Sequence, residues 1–485
     1  MNYKMMGRVC ALILGITAVF MTPSAILSLA DGHKRTAIAF FATMALMLAI
    51  ALILALLSRG AKKDFYAREG LITVGLSWLL MGALGCLPLY LSGEVPRYID
   101  ALFEIISGFT TTGASVLPNP ELLSRGLLLW RSFTHWLGGM GVLVFLLALV
   151  PISGKNEGFT MHLLRAESPG PDVGKLVPRM RRTALVLYLT YIGLSLVNLF
   201  FLLVGGMPLF DALCTMLGTA GTGGFGIKAD SIAGYSPYLQ NVTTVFMFLF
   251  GINFSCYYLL LLRNFKSVFR DEELRMYLCI VVTAIVLIVW NLRDTYATLG
   301  ETVRHAAFQV VTIITTTGYA TTDFDLWPTF SRMILLALMF VGACAGSTGG
   351  GIKCSRVLLL IKGAHRNIVQ MIQPQRVKVI RVNKRPVEER IVTNTNAYLA
   401  IYVLVLIAST VLISLDNFSP MTNFSAVLSC LNNIGPGIEA VGPTCSYGGY
   451  SILSKLVLIF NMLIGRLEIF PILVLFSPKS WKRSQ

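Results

Sequence analysis

Charge is what this chain has little of. Asp, Glu, Lys and Arg make up 13% of its 485 residues, where a soluble domain carries about 25%; 55% of the residues are hydrophobic and the mean hydropathy is +0.71. Acid is scarcer than base, with 24 Asp and Glu against 40 Lys and Arg, a net charge of +16. The nine cysteines are scattered without a CxxC pair or a metal-ligand spacing, so they read as small core residues rather than a redox or metal site. Paired acids and a nucleophile with its base are also missing, which excludes a membrane enzyme. No clear small-residue cleavage pattern follows the first apolar window, whose "SLADGHKRTAIAFF" leads straight into another, so that window reads as a true helix.

What is present is apolar sequence of bilayer length. Windows of about 20 residues or more recur at roughly 8–30, 36–58, 71–94, 124–150, 183–206, 238–262, 275–297, 331–361, 395–415 and 451–477. Ten crossings, an even number, put both termini on one side. The basic residues gather in Arg59 to Arg68, Lys155 to Arg182, Arg263 to Arg275, Arg356 to Arg390 and Lys479 to Arg483, and counting crossings puts all of these on one side. An excess of Lys and Arg marks the cytoplasmic face, so the positive charge is topogenic, faces membrane lipid, and does not call for nucleic acid. Much of the acid, including Asp100, Glu104, Asp211, Asp323, Asp325 and Glu439, falls in the segments opposite.

Four of those opposite segments are too long and too apolar to be plain connections: "RYIDALFEIISGFTTTGASVLPNPELLS", "PLFDALCTMLGTAGTGGFGIKADSI", "TVRHAAFQVVTIITTTGYATTDFDLWP" and "MTNFSAVLSCLNNIGPGIEAVGP". Each opens with an apolar run of about ten residues, too short to span, and passes into Thr, Asn and Gly before the next crossing. The predicted fold is an all-α integral membrane protein of four tandem helix–pore-loop–helix repeats around one pseudo-fourfold pore, with two N-terminal transmembrane helices added. The boundaries are 1–69 for the addition and 70–182, 183–274, 275–394 and 395–485 for the repeats.

Irregular backbone at membrane depth is tolerated only where protein buries it or where it lines a wet cavity. Four copies can surround one axis, where a ring of carbonyl oxygens replaces the hydration shell of a cation. The carboxyl end of each short helix adds partial negative charge, and glycine keeps the backbone close to the axis. Threonine hydroxyls add neutral oxygens without the deep trap of four carboxylates. The "TTTG" run thus reads as one quarter of a selectivity filter.

These residues carry a resemblance. The fourfold plan, "FTTTGAS", "ITTTGYAT", "NNIGPG", "HWLGGMGVLVF" and "GRLEI" resemble the TrkH family of bacterial potassium-uptake membrane proteins; the related KtrB proteins share the repeats but generally lack the two extra helices. The resemblance implies potassium uptake across the cytoplasmic membrane, with potassium as the transported ion. Carried over, the filter comprises Thr111, Thr112 and Gly113 in the first repeat, Thr316, Thr317 and Gly318 in the third, and Asn433, Ile434 and Gly435 in the fourth. In the second, counting from the shared "DAL" gives Gly224 and matching the preceding Thr222 gives Gly223; the first register is preferred and both stand. The asparagines of the fourth copy make the symmetry approximate.

Two further features concern gating and partners. "GACAGSTGGGIKCS" breaks the long window of the third repeat; Ile352 between Gly351 and Lys353 spoils any likeness to a phosphate-binding loop. By resemblance, Gly346, Gly349, Gly350, Gly351 and Lys353 belong to an intramembrane loop that obstructs the pore, and Arg466 faces the pore under the filter, where it repels a passing cation. The bland alternatives are helix packing by small residues and an arginine held by Glu468 or by carbonyls. "QPQRVKVIRVNKRPVEER", 373–390, suits a hairpin turning at "NKRP". The resemblance implies docking of a TrkA-like cytosolic ring that binds the nucleotide, no nucleotide on this chain, and a homodimer. The rival reading is a sodium- or proton-coupled symporter with broken helices. Same-sided loops and few buried acids, with His135 near an outer-facing segment, weigh against it.

Overall fold

Long apolar stretches become helices because a backbone in hydrocarbon must satisfy its own N–H and C=O groups. The computed structural model describes residues 1–60, 67–139, 141, 180–375, 378–467, 469, 475 and 477. Among these, six helices are long and apolar enough to cross a bilayer, at 3–30, 34–57, 68–91, 185–204, 272–291 and 389–416. The first is interrupted at Met21, giving α1 (Tyr3–Phe20) and α2 (Thr22–Ala30). α3 (Lys34–Leu57) lies against both.

The remaining windows depart from simple crossings in informative ways. The stretch 238–262, expected as one span, is α10 (Pro237–Phe250) and α11 (Phe254–Leu261), bent by 89°. Asn253 caps the second helix, accepting from the Ser255 N–H at 2.9 Å, and the bend leaves the Phe250 and Gly251 carbonyls to accept from Thr348 and Cys344. The window 331–361 divides, as its glycines predict, into α15 (Thr329–Val341) and α16 (Cys354–Ile372). The windows 124–150 and 451–477 begin as α7 (Arg125–Gly139) and α19 (Ile452–Leu467); their far ends, Glu468 and most of the Lys155–Arg182 and 479–483 segments lie outside the described residues.

α4 (Ala67–Gly85), α5 (Leu87–Leu91), α8 (Met180–Val204), α13 (Glu272–Asn291) and α17 (Glu389–Ile413) complete the long frame, with the one-turn α12 (Phe265–Phe269) leading into α13. Within it stand four short helices, α6 (Tyr98–Phe109), α9 (Leu209–Gly221), α14 (Leu299–Ile314) and α18 (Pro420–Asn432). Asp100, Asp211 and Glu301 lie in the first turns of three of them, where acid complements the helix dipole. Thr298 and Ser419 cap α14 and α18 by accepting from Glu301 and Thr422 N–H groups. Seven cysteines are buried, as expected; Cys279 and Cys445 are exposed instead, the first because it faces outward from α13 and the second because it lies in a loop.

The expected hairpin is present. Arg381–Val382 (β1) pairs antiparallel with Arg385–Pro386 (β2), so the turn is Asn383–Lys384 rather than the four residues "NKRP". Both turn residues have positive φ, +51° and +65°, the geometry of the tight turn that matches strand twist. Asn383 ties the hairpin to the start of α13: its amide donates to Asp271 at 2.7 Å and its oxygen accepts from the Glu272 N–H at 2.9 Å.

Candidate functional site

The four short helices end alike. In each, a residue with left-handed backbone follows the last turn: Thr111, Thr222, Thr316 and Asn433, at φ of +55°, +53°, +58° and +56°. The next N–H reaches back five residues, from Thr112 to Ser107, Gly223 to Gly218, Thr317 to Thr312 and Ile434 to Ser429, at 2.8 to 2.9 Å. This is the glycine-type helix stop, but no glycine occupies the left-handed place. Two residues on, Gly113, Gly224, Gly318 and Gly435 again have positive φ, from +76° to +102°. An ordinary strand alternates its carbonyls from side to side; reversing φ at every second residue turns successive carbonyls the same way. The shared conformation aligns Gly224, not Gly223, with Gly113.

The four segments meet in cyclic order. A Cβ on Gly113 would overlap the Gly223 carbonyl oxygen, one on Gly224 that of Thr317, one on Gly318 that of Ile434, and one on Gly435 would stand 2.7 Å from that of Thr112. Each glycine therefore makes room for the carbonyl preceding the glycine of the next segment, and the fourth closes on the first. The side chains lace the same ring. Thr112 Oγ1 lies 2.7 Å from Thr110 Oγ1 and accepts from the Asn433 amide at 2.9 Å; Thr317 Oγ1 lies 2.8 Å from Thr315 Oγ1. Thr111 Oγ1 and Asn433 Oδ1 are buried without a hydrogen-bond partner among the described residues, neutral oxygens of the kind a dehydrated cation takes. A cavity lined by all four glycines, with Ala114, Phe225 and Pro436, opens on the side opposite the short helices' last turns.

On the helix side the ring is covered by the segment 342–353. Gly350 N–H donates to Thr316 Oγ1 at 2.6 Å. A Cβ on Gly349 would stand 2.9 Å from the Thr315 carbonyl oxygen, and one on Gly350 would overlap that of Asn432. Only glycine lets this loop press against the ring. The loop is seated in the bend between α10 and α11, with Cys344 and Phe254 exchanging backbone bonds with Gly251 and Gly346 at 3.1 and 3.0 Å. Glu273 accepts from the Ala345 and Ser355 N–H groups at 2.6 and 3.1 Å, and Lys353 donates to the Gly349 carbonyl. Arg466 spans the gap: its guanidinium donates to Thr348 O at 2.8 Å, to Gly139 O at 2.6 Å and to Gly138 O. A small pocket separates Gly349, Gly350 and Gly351 from Arg466.

Several contributors escaped the sequence reading. His135, expected near an outer-facing segment, is fully buried against the ring. Its Nε2 accepts from the Phe225 N–H at 3.2 Å, so Nδ1 carries the proton and donates to the Gly108 carbonyl at 2.8 Å. Glu104 and Arg131 form a buried ion pair beside it. Glu273 holds the loop, and Asn253 caps α11 at the bend where the loop is seated. Asn253 two residues after Gly251 is a legible cap signal; the other four carry no local mark, because their partners are distant in sequence.

The chain matches the family model described as "TrkH: Cation transport protein" over residues 36–483. It is 36% identical to the Trk system potassium uptake protein TrkH of Salmonella typhimurium, covering 99% of this chain and 100% of that protein. It is 31% identical to the potassium uptake protein TrkG of Escherichia coli, with 99% of each covered. The crystal structure of the potassium transporter TrkH from Vibrio parahaemolyticus superposes with a TM-score of 0.88 at 30% identity, covering 99% of this chain and 100% of that one. The chain belongs to the TrkH family of cation transport proteins.

Proposed function

We propose that this chain takes up potassium through a single pore built from four repeats, and that the ring of Thr111–Gly113, Thr222–Gly224, Thr316–Gly318 and Asn433–Gly435 is its selectivity filter. The observation that carries this reading is the closed cyclic contact of four glycines with four carbonyls, which leaves backbone oxygens and four helix carboxyl ends around one axis. Such oxygens replace water around a cation without a net charge that would hold it fast. The potassium assignment draws on what the relatives transport. The repeats run as 70–182, 183–274, 275–394 and 395–485, after the N-terminal helices of 1–69, with both termini in the cytoplasm of a bacterial cell.

The loop through Gly346, Gly349, Gly350, Gly351 and Lys353 is the gate, in its closed position, and Arg466 is its latch as well as a positive barrier. Opening requires the loop to leave Thr316 and Arg466. The exposed Lys384 of the hairpin turn and Arg385 at the start of β2 offer a surface for a cytosolic regulatory ring that binds the nucleotide, and the membrane subunit works as a homodimer. The test is ion flux into proteoliposomes under opposed potassium and sodium gradients, with Gly113→Ser alongside. Potassium moving down its own gradient, with sodium admitted by Gly113→Ser, is the expected result. Strict dependence on a second ion gradient, with Gly113→Ser harmless, would replace the pore with a symporter.

A further inference from the structure

We propose that Glu104 and Arg131 form a charge-compensating pair that sets the electrostatic potential at the mouth of the ring, so that Glu104 governs how readily the cation enters. The inference rests on the filter reading above and adds a residue pair to it. Both side chains are almost wholly buried, Arg131 at 2% and Glu104 at 0% exposure. Arg131 Nε donates to Glu104 Oε1 at 2.8 Å, and a second guanidinium nitrogen donates to the same oxygen.

Of the two, Arg131 lines the cavity above the four glycines. Its guanidinium lies 4.1 Å from the ring centroid of Phe225, the residue directly after Gly224. A cation is therefore held at the mouth through which a cation must pass. Lys228 also lines that cavity, with its ammonium over the Tyr235 ring at 4.4 Å. Fixed charge in a narrow cleft changes the local concentration of ions by tenfold or more, so an uncompensated Arg131 would deplete the mouth of cations. Glu104 cancels it from behind.

The same carboxylate ties the chain leaving the ring, accepting from the Val116 N–H at 3.1 Å and from Ser115. That task alone does not require charge. In the register that aligns Thr111, Thr222, Thr316 and Asn433, the places of Glu104 are held by Thr215, Gln309 and Ala426, and Gln309 ties its own outgoing chain through its amide to Thr322 O at 3.2 Å. Charge in the first repeat alone is explained by the cation opposite it.

Glu104→Gln keeps an oxygen for Val116 and removes the charge; Arg131→Met removes the cation; the double variant removes both. The readout is the external potassium concentration giving half-maximal flux in proteoliposomes, measured with and without added N-methylglucamine chloride. Glu104→Gln is expected to raise it about tenfold, with the defect narrowing as salt in the cavity screens the field that the uncompensated Arg131 casts into it. Arg131→Met should lower it, because Glu104 is then the uncompensated charge, and the double variant should return to within about twofold of the parent. Equal shifts in both single variants, a double variant no better than either, or a defect indifferent to salt would overturn the proposal in favour of a purely structural tie. Should Glu104→Gln fail to fold, Arg131→Met still decides: a lowered value supports, and an unchanged or raised one overturns. Gly113→Ser runs beside them, because unaltered sodium exclusion there sinks the filter reading itself, whereas altered exclusion with indifferent pair variants sinks only the pair.

Discussion

Replacing Arg466 separates two ways in which a positive charge can close a pore. As a barrier, its charge repels the ion; as a latch, its guanidinium bridges Gly138 and Gly139 on one side and Thr348 of the covering loop on the other. A hydrogen bond from a charged donor contributes about 1.5–3 kcal/mol. The bond to Thr348 is the one a departing loop must lose, so Arg466→Ala should shift the loop towards opening by about tenfold to a hundredfold, at 1.4 kcal/mol per factor of ten. Arg466→Lys discriminates. It keeps the charge, but a point-like ammonium cannot reproduce the planar fork that reaches both partners. Potassium flux into proteoliposomes, normalised to reconstituted protein, should therefore rise in the order parent, Lys, Ala. A Lys variant equal to the parent beside a fast Ala variant would refute the latch and leave the barrier. An Ala variant no faster than the parent would refute both.

Other perturbations read the same structure elsewhere. Gly350→Ala would overlap Asn432 O and stand 3.0 Å from Asn433 Cβ, so the loop should lose its seat and basal flux rise while ion preference stays, measured in the same vesicles. Lys455→Met leaves Asp100 without the partner it has at 2.6 Å across α19 and α6. Because Asp100 is partly exposed, the cost should be about 1–3 kcal/mol, below the 3–5 of a fully buried pair, read as a lower thermal midpoint that Asp100→Asn partly restores. In the loop before α15, burial and then the neighbouring Asp323 raise the Asp325 carboxyl from 3.8 to about 6. Ionising an acid whose folded pKa is raised costs folding stability, so the penalty is absent below about pH 4 and complete above about pH 6. Asp325→Asn should therefore raise the thermal midpoint more at pH 7.5 than at pH 4.5; an equal effect at both would contradict the assignment.

Much of the site was legible because its signals are local. Short apolar runs ending in Thr, Asn and Gly marked the four helix stops, the glycines of 342–351 marked the break between α15 and α16, and Asn383 marked the hairpin turn. Where two residues carry the same signal, the sequence leaves a choice: Gly223 and Gly224 are distinguished by backbone conformation, not by identity. Gly223 proves to be a glycine for a different reason, since a Cβ there would run into the His135 ring. The bend in 238–262 was hidden by continuous hydropathy, because the groups that stabilise it come from a loop 98 residues away at Thr348. Glu104 with Arg131 and Glu273 with the covering loop were hidden likewise, since composition shows an acid but not its partner.

The left-handed threonines pose the sharpest test of why this ring is built as it is. A β-branched residue at φ near +55° is disfavoured by about 1–2 kcal/mol, and the described structure keeps three of them, Thr111, Thr222 and Thr316, where glycine is the ordinary choice. Strain of this kind persists where surrounding contacts fix the backbone and the side chain has a task. Thr316 shows one such task, accepting from the Gly350 N–H of the covering loop; Thr111 has its hydroxyl buried and unpaired among the described residues, available to an ion. Thr111→Gly relieves the strain but frees the unfolded chain by about 0.4–1 kcal/mol, so the two effects nearly cancel and the thermal midpoint should move little. Discrimination between potassium and sodium should nevertheless fall, because one oxygen and the stiffness of one quarter of the ring are lost together. A large loss of stability with selectivity intact would mean that Thr111 serves packing rather than the ion.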